Sequence, residues 1–137
     1  MLKIKNEDLV DMINFLKEFE LPPKISRIRT KLCKLIQVKV DELYHDEVEL
    51  LGRYGKKDED GNLVQHDGNF SLIPETAMEY HKEKADLLNE DTFINTTELQ
   101  DKLLFLIAGF EESTVALAGK EAEMLDLLLE QLETEVG

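Results

Sequence analysis

Apolar residues recur along most of this chain at three- and four-residue spacing, and the breaks in that period mark its turns and strands. Leu2-Lys3-Ile4-Lys5 alternates instead with period two, which predicts a short strand. Asn6 is placed to cap a helix, with Glu7 and Asp8 in the first turn, where the helix dipole favours acids. Leu9, Met12, Ile13, Leu16 and Phe19 then predict an amphipathic helix over about residues 7–19, ended by Pro22-Pro23. Pro23 suits the first position of a second helix. Ile25, Ile28, Leu32, Leu35, Ile36, Leu43 and Leu50 or Leu51 carry its period to Gly52. A helix over about residues 23–51 would be about 43 Å long at 1.5 Å per residue, with room for a kink where Val38 and Val40 blur the stripe.

The middle of the chain changes character. Asp60-Gly61-Asn62 and Asp67-Gly68-Asn69 are turn signals. With Leu63-Val64-Gln65 and Phe70-Ser71-Leu72-Ile73 they predict a small β-hairpin over about 62–73, its turn at Asp67-Gly68. A third helix is expected over about 74–88, with Ala77, Tyr80, His81, Lys84, Ala85 and Leu88 along one side. Residues 91–94 read as a strand that pairs with 2–5. Asn95 and Glu98 resemble a capping box. A fourth helix carries Leu99, Leu103, Leu106, Ile107 and Phe110, and a last one, over about 119–133, carries Ala122, Leu125, Leu128, Leu129 and Leu132. Residues 111–118 fit neither period. The expectation is an α+β, predominantly α-helical fold: about five helices, one of them long, a small hairpin and one or two short strands.

Length and composition fit a single domain over 1–137, since 137 residues and 42% hydrophobic content support a core without disulfide or metal. The single cysteine, Cys33, suits a reducing cytosol. Acids rather than an apolar run follow the basic start, and the longest apolar stretch, residues 103–110, is far short of the roughly 20 residues of a membrane span. A soluble cytoplasmic protein with no membrane association is expected.

The net charge of −14 is unevenly spread. Residues 1–40 hold nine Lys/Arg against five Asp/Glu, a net of +4; residues 41–137 hold seven against twenty-five, a net of −18. Direct nucleic-acid binding is disfavoured, because most of this surface repels phosphate. The plain reading of the acids is solubility; the sharper one is imitation of nucleic acid or docking on a basic partner.

Catalytic patterns are not assembled. Asp58-Glu59-Asp60-Gly61-Asn62 superficially follows a calcium-binding loop, but Leu63 stands where glycine must make the turn and Asn69 where a bidentate Glu is needed. Glu42-x-x-His45 has di-iron spacing without its second pair. Cys33 lies in the apolar part of the long helix; Lys31 and Lys34 beside it would lower its pKa, and a small core residue is the plainer role. No enzyme, metal or cofactor is expected. The positive feature is Lys24, Arg27, Arg29, Lys31, Lys34 and Lys39, with no acid among them, followed directly by Asp41, Glu42, Asp46, Glu47 and Glu49. The basic half either neutralises acidic helices packed beside it or forms a contact surface. Two such helices laid antiparallel would match basic against acidic in a two-fold dimer. Lys24, Arg27, Arg29, Lys31, Lys34, Lys39, Asp41, Glu42, Asp46 and Glu49 are the candidate interaction surface.

The opening Lys3-Ile4-Lys5-Asn6-Glu7-Asp8-Leu9, then Arg27-Ile28-Arg29-Thr30, the turn sequences at 57–62 and 67–69, Leu87-Leu88-Asn89-Glu90 and Gly119-Lys120-Glu121-Ala122 together resemble an uncharacterised family of small acidic proteins from tailed phages and prophages of Gram-positive bacteria. The resemblance spans nearly the whole chain. It implies a role in virion morphogenesis or host interaction, with a virion component or host protein as partner, and transfers no catalytic or binding residue. The expected function is a non-enzymatic binding or assembly protein in the host cytoplasm. The alternative is an acidic inhibitor of a host defence nuclease or other nucleic-acid-binding protein, and a metal-dependent enzyme stands third.

Overall fold

A computed structural model describes residues 1–66 and 69–137. Its elements run β1 (Leu2–Lys5), α1 (Leu9–Glu18), α2 (Pro23–Tyr54), β2 (Gln65–His66), β3 (Asn69–Phe70), α3 (Ala77–Asn89), β4 (Asp91–Ile94), α4 (Leu103–Glu111) and α5 (Gly119–Val136). Short 3-10 turns, Asn6–Asp8, Pro74–Thr76 and Thr97–Lys102, lead into α1, α3 and α4. The α+β, mostly helical expectation holds, and the described residues form two compact units: 1–40 with 91–137, and 41–90.

In the first unit β1 and β4 pair antiparallel, with Leu2 opposite Ile94 and Lys5 opposite Asp91. Period two puts Leu2, Ile4 and Ile94 on one buried face. The rest of this core comes from Leu9, Met12 and Leu16 of α1, Leu103 and Leu106 of α4, and Leu128 and Leu132 of α5, each essentially inaccessible to solvent, with α5 packed on β1, α1 and α4. Phe15, Phe19 and Phe110 form an aromatic cluster with ring centres 5.0–6.1 Å apart. The buried stripe of α5 is Met124, Leu128 and Leu132; Leu125 and Leu129 lie only half-buried beside it. α4 can approach the start of α2 because Gly109 has no side chain: a methyl there would stand 2.9 Å from Ile25 Cγ2.

The two residues expected as caps make further contacts. Asn6 is buried, and its side-chain oxygen accepts a hydrogen bond from the Thr92 hydroxyl, tying the end of β1 to β4. Asn95 and Glu98 make no capping box. The Asn95 carboxamide oxygen accepts from the Thr97 backbone N–H (3.0 Å) and hydroxyl (2.6 Å), a local turn that competes with the box.

In the second unit, helix α2 runs past Gly52 and ends at Gly55, whose N–H donates to the Leu51 carbonyl at 2.7 Å. A Cβ at Gly55 would lie 2.6 Å from both that carbonyl oxygen and Leu63 Cδ2, so glycine is required where the chain reverses. The helical assignment is unbroken through Val38 and Val40. The expected hairpin is present but shorter, with Gln65 opposite Phe70 and His66 opposite Asn69. Its expected turn at Asp67-Gly68 lies outside the described residues. Isolated bridges, Gly55 to Leu72 and Lys57 to Leu63, continue the pairing. Asp58–Asn62 is a tight polar turn: the Asp58 carboxylate accepts from the N–H groups of Asp60 (2.9 Å) and Asn62 (3.0 Å), and Gly61 takes a left-handed φ of 83°. On α3, Tyr80 is buried beside Tyr54 and Leu87 joins Leu88 on the half-buried side, whereas His81 and Ala85, expected on that side, are exposed.

Candidate interaction surface

The basic run on α2 divides by helical angle. Arg29 turns inward, and its guanidinium donates to the carbonyls of Leu16 (3.1 Å) and Phe19 and to the Ser26 hydroxyl (2.8 Å). Those carbonyls lie at the C-terminal end of α1, where no intrahelical donor reaches them and the dipole favours a cation. Arg29 therefore serves the fold. Lys34 lines a shallow recess with Lys17, Thr30 and Cys33, of about 340 Å³. Burial raises the Cys33 thiol pKa, against the opposing pull of Arg29 and Lys17. The expected lowering by Lys31 and Lys34 does not occur: desolvation wins, and the nearby cations come from other turns of the structure.

Lys24, Arg27 and Lys31 line a larger groove, of about 550 Å³, beside Ile25 and Ile28. Its other wall is Lys102, just before α4, and Phe105, within it. Lys102 pushes the Lys31 pKa down, by its charge and by direct side-chain contact; burial and Arg27 add to the effect, and Glu98 opposes it. Among the described residues, none of Lys24, Arg27, Lys31 and Lys102 has an ion-pair partner within 4.0 Å. The groove thus has an apolar floor and four cations at its rim, on a chain of net charge −14. Lys102 was not in the candidate surface read from sequence. A signal for this wall existed: Leu104 and Phe105 are apolar, yet fall off the stripe of Leu103, Leu106 and Ile107, and both are 62% exposed.

The acidic half of α2 lies in the second unit. Asp41, Glu42, Asp46 and Glu49 are exposed there. So are Tyr44 (64%) and Val48 (42%), one turn apart. Asp46 and Glu49 also face Glu83, Asp86 and Glu90 of the α3 segment across a shallow groove, in which Arg53 is the one lining cation. Arg53 pairs with Glu49 at 3.3 Å, an exposed contact of little energetic weight. Lys39 is partly shielded and has an interaction partner. His45 is exposed, and no group of three or more His, Cys, Asp or Glu among the described residues is placed to hold a metal ion. No described helix is long and apolar enough to cross a membrane.

No curated protein and no solved structure matches the chain. A family model described as a protein of unknown function (DUF1617) matches residues 1–136, and the chain belongs to that family.

Proposed function

We propose that this chain is a phage-encoded, non-enzymatic binding or assembly protein of the host cytoplasm, and that it engages a protein partner through the groove between α2 and Phe105. The phage origin rests on the sequence resemblance. The observation that carries the binding role is the groove itself: Ile25, Ile28 and Phe105 form an apolar floor under four cations with no ion-pair partner among the described residues. Clustered like charge beside exposed apolar surface is unfavourable in the free protein, and an acidic partner relieves both terms. The test is affinity purification from infected cells, followed by mass spectrometry, with wild-type bait beside Lys31→Glu/Lys102→Glu. A virion or host protein recovered with wild type and lost with the variant supports the reading; identical recovery with both baits contradicts it.

A second reading has its own observation. Asp46, Glu49, Glu83, Asp86 and Glu90 bring five carboxylates to one groove of the second unit, the kind of row that competition for a basic nucleic-acid-binding cleft requires. Such an inhibitor would bind a nuclease with affinity that falls steeply with salt. Affinity indifferent to salt, or unchanged by Glu83→Gln/Asp86→Asn, contradicts it.

A further inference from the structure

The spacing of the groove's cations selects the shape of what fills it. Lys24, Arg27 and Lys31 sit three and four positions apart on α2 and line the groove in one row. At 1.5 Å per residue they rise by about 4.5 Å and then about 6 Å, a span of about 10.5 Å. Ile25 and Ile28 lie beside this row, and Phe105, 62% exposed, stands across from it. Lys102 meets Lys31 from that far wall in direct side-chain contact. The start of α2 also lacks negative charge of its own. Its first turn holds Lys24 and no acid, although the helix dipole favours carboxylates there.

Span and apolar floor together separate the anions that could answer this charge. A single head group shared by Lys31 and Lys102 leaves Lys24, two turns away, unanswered. An extended chain sends side chains to one face only every ~6.6 Å, which overshoots the first interval. A helix repeats the rises of the row itself, because its own residues three and four apart are spaced as the cations are. Nucleic acid brings charge but no aliphatic side chain for Ile25, Ile28 and Phe105, and the net charge of −14 repels it.

We infer that the groove receives an acidic amphipathic α-helix of the partner, laid along the first two turns of α2. Carboxylates at three- and four-residue spacing meet Lys24, Arg27 and Lys31, and large apolar side chains on the adjoining stripe cover Ile25, Ile28 and Phe105. One carboxylate shared by Lys31 and Lys102 relieves the repulsion that the free protein carries there. The inference rests on the groove proposed above as the partner site and names the element that fills it.

The probe is a synthetic, fluorescently labelled peptide of about 15 residues, long enough to hold a helix, with a Leu/Phe stripe flanked by Glu at three- and four-residue spacing. Its controls replace Glu by Gln, scramble the same residues out of helical register, or place a proline at the centre. Fluorescence anisotropy at low salt should show the helical Glu peptide binding the purified wild type. Lys31→Glu/Lys102→Glu and Phe105→Ala should each weaken it at least about tenfold, and each control peptide should bind wild type at least about tenfold more weakly. Added salt should weaken the Glu peptide. All three mutated positions are exposed, and circular dichroism checks that helix content is kept.

No binding of the helical Glu peptide overturns the inference. So does equal affinity for the scrambled or proline peptide, or affinity unchanged in both variants. Cosedimentation with phosphatidylglycerol vesicles that is lost in Lys31→Glu/Lys102→Glu also overturns it, since the groove would then face lipid. Failure here is separable from failure of the broader reading. A peptide that does not bind, while a virion or host partner is still lost with Lys31→Glu/Lys102→Glu, refutes the acidic helix alone; identical recovery with both baits refutes the groove as a partner site.

Discussion

Arg29 and Lys31 stand two positions apart in one basic run, and the structure gives them opposite work. Arg29 closes the C-terminal end of α1 through the Leu16 and Phe19 carbonyls and is braced by the Ser26 hydroxyl of its own helix. Its replacement by alanine leaves those carbonyls without their charged donor, and urea unfolding should register a loss of about 1.5–3 kcal/mol. Lysine at this site should recover only part of it, because a point ammonium cannot reproduce the fork geometry of a guanidinium. Lys31, exposed, sits against Lys102. Sequence could mark both residues as basic but could not separate them, since which side of α2 faces α1 depends on packing that no local pattern encodes. Cys33 shows the same limit. Burial raises its pKa above the ordinary value of 9.0, so the unfolded chain loses the thiol proton first. As pH rises through 9 the unfolded state binds fewer protons, and stability falls through that window. Compared across pH 8–11 by urea unfolding, Cys33→Ala should lack this extra fall, and wild-type Cys33 should alkylate slowly at pH 8 until the protein unfolds.

At the scale of elements, the strongly periodic segments were legible. The alternation of residues 2–5 and the apolar stripe through Leu103, Leu106, Ile107 and Phe110 each appear as read, because a strand face and a helix face impose periods that survive tertiary packing. The contacts of Asn6 with Thr92 and of Asn95 with the Thr97 hydroxyl were not, because neither leaves a periodic signal in the chain. The end of α2 also moved, from Gly52 to Gly55. Gly52 has open space around it and imposes nothing, whereas Gly55 meets both Leu51 and Leu63. Gly109 makes a sharper test of packing. Alanine improves helix propensity by up to about 1 kcal/mol, but overpacking a tight contact costs about 1–3 kcal/mol. With Ile25 Cγ2 only 2.9 Å away, overpacking should win. Thermal unfolding should show Gly109→Ala below wild type, whereas Gly52→Ala, which has no such neighbour, should be neutral or stabilising. Because Ile25 also lines the groove, Gly109→Ala should weaken partner recovery through it as well.

Over the whole molecule, the charge polarity read from sequence became a pair of surfaces on one helix. The run of cations was visible in the chain; the groove was not, since Lys102 and Phe105 join Lys31 from 71 or more positions away. A lysine footprint tests the groove most directly. The protein, labelled briefly with an acetylating reagent when purified and when in extract of infected cells, would be read site by site by mass spectrometry. In the purified protein Lys31 should react faster than Lys3 and Lys57, because Lys102 lowers its pKa and leaves more of the reactive free amine. In the extract Lys24, Lys31 and Lys102 should become protected together while Lys57 does not change. Unchanged reactivity of Lys24, Lys31 and Lys102 between the two conditions, or protection spread evenly over all sites, would contradict a groove that binds.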